Sequence, residues 1–196
     1  MKKFKFLNFY KYIESLDDEN YLYSFLKFNI APTISKLKAS TLVNLKSKNR
    51  NLKAIWDLYN NNLSRKLNIE YYILKENPDG YLILFYDNKL LKNKIFDEKC
   101  HNYLLENGYS NCHTLEDFLI KLKYNFNNNI CPKEIGIFLD YPLEDVLDFS
   151  TCRKCKCIGY WKCYNDEKYC KNLFELFDMA KLDIANCILK ECKKVA

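Results

Sequence analysis

The sequence has few of the residues that build the common catalytic and nucleotide-binding motifs. It contains only four glycines and two histidines in 196 residues. No GxxxxGK[ST] phosphate loop or GxGxxG dinucleotide fingerprint is present, and there is no GxSxG elbow or HExxH pair. The sequence therefore gives no support to the nucleotide-binding, α/β-hydrolase and zinc-protease classes that these motifs define.

Long uninterrupted apolar runs are also missing. Lys5 and Lys11 break the N-terminal apolar stretch, whereas a secretory signal needs about 7–15 apolar residues in a row. A membrane-spanning helix needs roughly 18 consecutive apolar residues, and the sequence has no such run. We therefore expect a cytoplasmic protein, in which the ten cysteines are thiols and not a disulfide framework.

The chain does contain enough apolar material for one ordinary core. Apolar residues make up 48% of it and aromatic residues 16%. A chain of this length buries on the order of 70% of its unfolded surface. We predict a single globular domain over residues 1–196 that needs neither metal nor disulfide to fold.

Apolar spacings of three and four residues predict five or six helices. The clearest covers 52–67, where we interpret Trp56 as a core anchor on one apolar stripe. A long amphipathic helix is predicted over 167–196. Further helices are predicted over 17–28, from about Lys89 to Gly108, from Thr114 with Asp117 completing a capping box, and after Pro142.

Strand signals lie between these helices. Residues 70–87 predict a hairpin that turns at Asn77-Pro78-Asp79-Gly80 and is covered on both faces. Further strands are predicted at 41–45, at 135–139 and in CIGYWKCY, residues 157–164. The whole pattern predicts an α/β or α+β domain with a central sheet of about four or five strands.

Positive charge is concentrated in the N-terminal third. Residues 1–66 hold 13 basic and 5 acidic side chains, a net of +8, which leaves −2 for the rest of the chain. Segment 36–53 has six basic residues and no acid. A nucleic acid or another anionic partner is one interpretation; we favour a solvated lysine face, so we do not expect nucleic-acid binding.

Five of the ten cysteines lie in CRKCKCIGYWKCYNDEKYC, residues 152–170. Four thiolates suit Zn²⁺ or an iron–sulfur cluster. In a straight strand, however, Cys157 and Cys163 would lie about 20 Å apart, which leaves Cys152, Cys155 and Cys157 as ligands of a loop site. A redox thiol is a further alternative. We favour unpaired or buried cysteines and predict no cofactor.

Three segments resemble a known bacterial family. They are APTISKLKASTLVNL (31–45), CPKEIGIFLDYPLEDVLDF (131–149) and CIGYWKCYND (157–166). They are similar to the signature segments of domain of unknown function 3793, found mostly in anaerobic Gram-positive bacteria. The matching positions are Pro32, Thr33, Lys38, Glu134, Gly136, Tyr141, Pro142, Glu144, Asp145, Cys157, Gly159, Tyr160, Trp161 and Lys162. The resemblance implies no established activity.

The chain also departs from the pattern of that family. Lys133 stands where the pattern has histidine, and Asp140 and Asp148 replace glycines. The absence of that histidine weakens the case for any histidine-based chemistry in this chain. Because Cys157 alone of the cluster cysteines belongs to the pattern, the resemblance also weakens the metal hypothesis.

The first functional hypothesis is a binding protein for a small polar ligand or a protein partner. Ligands collect at strand ends in open α/β sheets, and the turn after the predicted strand 135–139 would face the segment 160–162. The candidate ligand-binding residues are Lys38, Glu134, Tyr141, Glu144, Asp145, Tyr160, Trp161 and Lys162. Glu144 and Asp145 also suit a role that only complements the helix dipole.

The second hypothesis is an enzyme. In it, Glu134 or Glu144 is the general base, and Lys162 or Lys38 stabilises an anion. No nucleophile–base pair is visible at a readable spacing, so the sequence leaves the question of catalysis open.

Overall fold

The computed structural model describes residues 6–46, 50–128, 131–151 and 153–192. These residues form ten α-helices, a three-stranded sheet and a separate two-stranded hairpin. The predicted mixture of helix and strand is confirmed. All strand pairs in the described ranges are antiparallel, so the class is α+β, with a smaller sheet and more helices than the sequence predicts.

The elements follow one another along the chain as helices α1 to α10 and strands β1 to β5. The helices are α1 (Leu7–Glu14), α2 (Asp18–Asn29), α3 (Ala31–Ile34), α4 (Leu52–Leu67), α5 (Asn88–Ile95), α6 (Glu98–Leu104), α7 (Leu115–Asn128), α8 (Ile135–Phe138), α9 (Leu143–Asp148) and α10 (Glu167–Cys192). A π-helical turn, Leu105–Tyr109, follows α6. The strands are β1 (Ser40–Lys46), β2 (Glu70–Asn77), β3 (Gly80–Tyr86), β4 (Cys157–Ile158) and β5 (Lys162–Cys163).

Side-chain caps place the helix starts where the sequence predicts them. The Asp17 carboxylate accepts a hydrogen bond from the backbone N–H of Asn20 at 2.9 Å, at the start of α2. Before α7, the Asp117 carboxylate accepts from the backbone N–H of Thr114 at 2.8 Å, and the Thr114 hydroxyl accepts from the backbone N–H of Asp117 at 3.2 Å. This reciprocal pair satisfies two backbone donors and confirms the predicted capping box.

The sheet is a central layer between two groups of helices. Its order is β1-β3-β2, so β3 is covered on both faces while β2 lies at an edge and is partly exposed. One face packs Ile83 and Phe85 against Trp56 of α4. The other face packs Leu84 against the cluster formed by α5 to α9. The prediction that both hairpin strands are covered on both faces of the sheet is therefore confirmed for β3 but not for β2.

Two strand predictions were wrong. Residues 135–138 form the short helix α8, because a short apolar run surrounded by core does not distinguish a strand from a buried helix. The CIGYWKCY segment is two two-residue strands and not one strand, because the chain turns at Gly159, whose N–H donates to the Trp161 carbonyl at 3.0 Å.

The predicted helix from Lys89 to Gly108 is divided in the structure. Asp97 caps a new helix by accepting a hydrogen bond from the backbone N–H of Cys100 at 3.2 Å, so α5 and α6 are separate. Gly108 has φ +90°, a left-handed conformation that glycine adopts without strain. The predicted helix end at Gly108 is therefore confirmed, while the uninterrupted helix before it is wrong.

The long helix α10 connects two peripheral clusters. Near its C-terminal end, Ala185 and Ile188 pack with Phe9 and Ile13 of α1 and with Phe28 of α2. Nearer its start, apolar residues pack under the β4–β5 hairpin. The predicted amphipathic helix is confirmed to Cys192, and residues 193–196 lie outside the described ranges. Among the helices described, none combines the length and apolar character that a membrane crossing requires.

Gly80→Ala should destabilise the fold by about 2 kcal/mol or more, an effect in the range of steric misfits inside a core. A Cβ at position 80 would lie 1.9 Å from the Leu45 carbonyl oxygen, so the β1–β3 backbones must move apart. Urea unfolding measures the change. The control is Asp79→Ala in the same turn, which removes only an exposed ion pair with Lys46 and should cost at most about 1 kcal/mol. Equal losses in the two variants would contradict the prediction.

Candidate functional site

The Asp145 carboxylate is the centre of a buried hydrogen-bond network. Asp145 lies on α9 and is 3% exposed. Its Oδ1 accepts from the backbone N–H groups of Tyr164 at 2.8 Å and Asn165 at 3.1 Å, and from the Asn165 side chain at 3.1 Å. Its Oδ2 accepts from Trp161 Nε1 at 2.9 Å and from the Cys170 thiol at 3.5 Å. Asp145 therefore joins α9, the hairpin and α10.

These donors also set the charge of the carboxylate. Burial raises the pKa of Asp145, but hydrogen bonds from Tyr164, Trp161 and Asn165 outweigh burial and hold the pKa below its ordinary value of 3.8. Hydrogen bonds to the charged form have this effect on any carboxylate. Asp145 is thus a stable anion with a structural role. The sequence analysis considered it only as a ligand-binding residue or as a complement to the helix dipole.

An aromatic stack lies beside Asp145. Tyr141 and Trp161 are stacked with their ring centroids 4.8 Å apart, and Trp161 meets Phe174 of α10 edge to face at 4.5 Å. The Tyr141 hydroxyl donates to the Tyr160 carbonyl at 3.3 Å. The expected approach of the Tyr141 turn to the segment 160–162 is therefore present, although α8 and not a strand precedes that turn.

Lys38 is a buried cation that lies between α3 and β1. It is 5% exposed, and its Nζ lies 5.3 Å from the centroid of the Tyr141 ring. No acceptor among the described residues forms a hydrogen bond or an ion pair with this Nζ. A buried ammonium group without an acceptor is costly unless a solvent molecule or ligand in contact with it supplies the missing bonds.

The surroundings of Lys38 disfavour its charged form. Burial lowers the pKa of Lys38, Asp140 raises it in part, and the like charge of Lys181 lowers it again, for a net fall from 10.5 to about 8. Asp140 is a weak counterion because its carboxylate also accepts from the backbone N–H of Ala39 at 3.0 Å and lies 3.5 Å from Lys94 Nζ. At pH 7 the ammonium stays mostly protonated and retains unused donors.

Lys38 forms part of the wall of a cavity of about 410 Å³, called the Lys38 cavity below. This volume lies within the range of small-molecule sites, roughly 300–1,000 Å³. Its polar lining includes Lys38, Lys181, Asn29, Thr41, Tyr141 and Tyr160, and its apolar lining includes Phe25, Pro32 and Leu139. Two lysines therefore face a space with apolar and aromatic walls.

The structure separates the other candidate residues from Lys38. Glu134 is buried and accepts from the Tyr109 hydroxyl at 3.1 Å and from Asn125 Nδ2 at 2.6 Å. It lines none of the three cavities that contain Lys38, Lys162 or Cys170. Glu144 is exposed on α9. Lys162 lines a different, mostly apolar cavity of about 390 Å³ together with Lys133. The proposed bases and Lys162 therefore do not share one cavity.

The cysteines are arranged differently from the predicted loop site. Cys152 lies outside the described residues, and Cys155 is partly exposed. Cys157 lies directly opposite Cys163 in the β4–β5 register. The expected separation of about 20 Å was therefore wrong, because the segment folds back on itself instead of continuing as a straight strand.

A different set of side chains does converge. Ligand atoms of Asp145, Cys163 and Cys170 all lie within 4.8 Å of one another, and the three residues are buried. Burial, the neighbouring Cys163 and the Asp145 charge raise the pKa of the Cys170 thiol. We call these three residues the thiol–carboxylate cluster. The sequence analysis did not include Cys170 among its metal candidates.

The basic segment 36–53 does not form one continuous basic face in the described part of the chain. Lys36 pairs with Asp87 and Lys38 is buried. The other described basic residues also pair with acids: Lys46 with Asp79, Arg50 with Asp18 and Lys53 with Glu76. The sequence interpretation of a solvated lysine face did not include these ion pairs.

Sequence reasoning missed two charged residues that act on Lys38: Lys181, which lines the Lys38 cavity, and Asp140, which does not line it but raises the pKa of Lys38. Lys181 was not singled out and lies within the predicted long helix. Asp140 appeared only as a replacement of glycine; its φ of +61° is left-handed, which explains why glycine also suits this position. No spacing signal connects either residue with Lys38, since they lie on segments far apart in the chain.

The fold and the cavity define this chain as an α+β protein with a buried lysine that forms no ion pair with any described residue and lies at a small-molecule-sized cavity. A family described as Protein of unknown function (DUF3793) matches residues 26–196, so the chain belongs to that family and the recognition from sequence is confirmed. No curated protein and no solved structure is significantly similar to it.

Replacing Asp145 should destabilise the protein strongly. Asp145→Ala leaves several buried donors without an acceptor, each at a cost of about 1–3 kcal/mol, so we expect the free energy of unfolding to fall by about 3 kcal/mol or more. Glu144→Ala on the same helix is the control and should cost at most about 1 kcal/mol. Urea unfolding at pH 7 measures both losses, and a loss for Asp145→Ala no greater than that for Glu144→Ala would contradict the structural role.

Lys38→Met should stabilise the protein at pH 7. The lowered pKa of Lys38 corresponds to roughly 3 kcal/mol against the charged form, so we expect a gain of about 1–3 kcal/mol. Between pH 8 and 10.5 the unfolded chain binds the proton that the folded chain has lost, so wild-type stability rises relative to the variant and the difference shrinks. Unfolding of both proteins across this pH range checks the sign. A variant less stable than the wild type at pH 7 would contradict it.

Proposed function

We propose that this protein binds a small organic anion in the Lys38 cavity. The observation that carries the proposal is Lys38, whose side chain is largely buried and whose Nζ opens on a cavity and has no acceptor among the described residues. A carboxylate or a phosphate supplies the missing acceptor, and charge-assisted hydrogen bonds of this kind are about twice as strong as neutral ones.

The second lysine favours an anion over a neutral ligand. Lys181 raises the positive potential at Lys38, as the lowered pKa of Lys38 reflects. Lys181 Nζ also lies 4.9 Å from the centroid of the Tyr160 ring, which lines the same cavity. An anionic group near Lys38 therefore interacts favourably with both lysines.

The rest of the lining favours an organic anion over an inorganic ion. Phe25, Leu139 and Pro32 provide apolar wall, and Tyr141 and Tyr160 provide aromatic surface. The volume of about 410 Å³ is that of a metabolite-sized compound. The ligand we expect carries one or two carboxylate or phosphate groups on an apolar or aromatic body.

The position of the cavity also supports this proposal. All three segments that carry the family resemblance contribute to its wall: Pro32 and Lys38 from 31–45, Tyr141 from 131–149 and Tyr160 from 157–166. By contrast, the carboxylates suggested for catalysis, Glu134 and Glu144, do not line it. We therefore favour binding over catalysis as the role of this cavity.

Thermal-shift measurements with a panel of small carboxylates, phosphates and neutral analogues of the same size test the proposal, followed by titration calorimetry on the compounds that bind. We expect anionic members to stabilise the wild type, and affinity to fall at least about tenfold in Lys38→Met, the scale of one lost charge-assisted bond. Affinity should also fall above about pH 8, where the free lysine loses its proton.

The matched control is Lys162→Met, which removes an exposed lysine at the apolar cavity without affecting Lys38. It should bind the same anions as the wild type. Equal binding by the wild type and Lys38→Met, or equal binding of anions and their neutral analogues, would refute the proposal.

A further inference from the structure

The thiol–carboxylate cluster has the donor set and spacing of a metal site. Zn–S bonds are about 2.3 Å and Zn–O bonds about 2.0–2.2 Å, so ligand atoms around one tetrahedral ion lie roughly 3–4 Å apart. The Cys170 sulfur lies 3.5 Å from Asp145 Oδ2, and the three ligand atoms, with that of Cys163, lie within 4.8 Å of one another. Small side-chain rotations therefore suffice to place all three around a single ion.

Three separate elements hold these ligands. Asp145 lies on α9, Cys163 on β5 and Cys170 in the first turn of α10. Hydrogen bonds fix the carboxylate: Tyr164 donates to Oδ1, and Trp161 Nε1 donates to Oδ2, the oxygen nearest the Cys170 thiol. Hydrogen bonds that orient a ligand in this way are typical of protein metal sites.

An acidic cavity leads to the cluster. It has a volume of about 430 Å³, and Asp145 and Cys170 form part of its wall. Asp140, Glu144 and Asp166 also line it, and its one lining lysine, Lys94, lies 3.5 Å from Asp140 Oδ1. A cleft with carboxylate walls raises the local concentration of cations, so a route to the ligands exists on the side of Cys170.

We propose that the thiol–carboxylate cluster binds one thiophilic divalent cation such as Zn²⁺. The ligands are the Cys163 and Cys170 sulfurs and an Asp145 oxygen. Each thiol releases its proton to solvent, so two protons leave for each ion bound, and no electron is transferred. Water from the acidic cavity takes the fourth position of a tetrahedral ion. None of its three ligands lines the Lys38 cavity, and the proposal does not rest on the function proposed there.

Titration of metal-free, reduced protein with Co²⁺ tests the proposal, because tetrahedral thiolate-bound cobalt has intense visible bands and a sulfur-to-metal charge-transfer band. We expect one ion per chain, displacement by Zn²⁺, and release of two protons per ion in weakly buffered solution. A wild-type protein without these bands, or with proton release near zero, would overturn the proposal.

Single substitutions locate the site. Cys163→Ser and Cys170→Ser should each weaken binding by more than about 100-fold, since loss of even a group that only orients a ligand costs about 10–100-fold. Cys187→Ser is the matched control, because Cys187 lies on the same helix as Cys170 but is exposed and outside the cluster. It should keep full affinity.

Two further variants separate this site from its alternatives. Lys38→Met should bind cobalt as the wild type does. Loss of the bands in Cys155→Ser with retention in Cys170→Ser would overturn the assignment in favour of a loop site. Should Cys170→Ser fail to fold in its metal-free form, Cys163→Ser and the wild-type proton count decide the question.

Discussion

One buried carboxylate holds the C-terminal third of this protein together. Asp145 receives hydrogen bonds from the hairpin backbone, from Trp161 and from Cys170 at the start of α10. Each of these donors would be costly to bury alone. Because Trp161 is fixed in this way, its ring is held against Tyr141, and Tyr141 in turn forms a wall of the Lys38 cavity. The position of the candidate site thus depends on a charge that lies outside the cavity.

The two buried charges of this region differ in a way that separates structure from function. Asp145 is satisfied by several donors, and its pKa is lowered. Lys38 has no acceptor among the described residues, and its pKa is lowered as well, but for a cation this direction means that the charge is disfavoured. A folded protein retains an unsatisfied buried charge at a cost in stability, and such groups are concentrated at binding and catalytic sites. For this reason we assign anion binding to Lys38, whereas Asp145 anchors the hairpin and α10 and serves as a ligand only in the cation site proposed above.

Two of the three positions that depart from the family pattern, Asp140 and Asp148, have physical explanations in the structure. Asp140 adopts a left-handed backbone, which glycine takes without strain and which aspartate tolerates. Its carboxylate then interacts with Ala39 and Lys94, which leaves it a weak counterion for Lys38. Asp148 accepts from Arg153 at 2.7 Å and from Asn165 at 3.1 Å, and so reinforces the same hairpin that Asp145 holds.

The sequence alone determined the elements whose signals are local. The apolar stripe around Trp56, the start of a helix near Asp17, the capping box of Thr114 and Asp117, and the Pro78–Gly80 turn were all predictable, because each depends on residues within one or two turns of the chain. The family was also recognisable, since its signature runs are continuous. Short apolar runs were not predictable in this way. Residues 135–138 form a helix where a strand over 135–139 was predicted, because burial on all sides removes the periodicity that distinguishes a helix from a strand.

The candidate sites were decided by tertiary structure. Lys38, Tyr141, Tyr160 and Lys181 come from four separate segments and meet only because α10 packs against α1, α2 and α3 and the Tyr141 hydroxyl bonds to the Tyr160 carbonyl of the hairpin. In the same way, Cys170 joins Cys163 and Asp145 because the Asp145 carboxylate accepts hydrogen bonds both from the backbone next to Cys163 and from the Cys170 thiol, a long-range contact that no sequence pattern indicates. Periodicity identifies which face of an element is apolar. Which side chains of separate elements share a cavity, and whether a buried lysine has an acceptor, follows from the packing of those elements against one another.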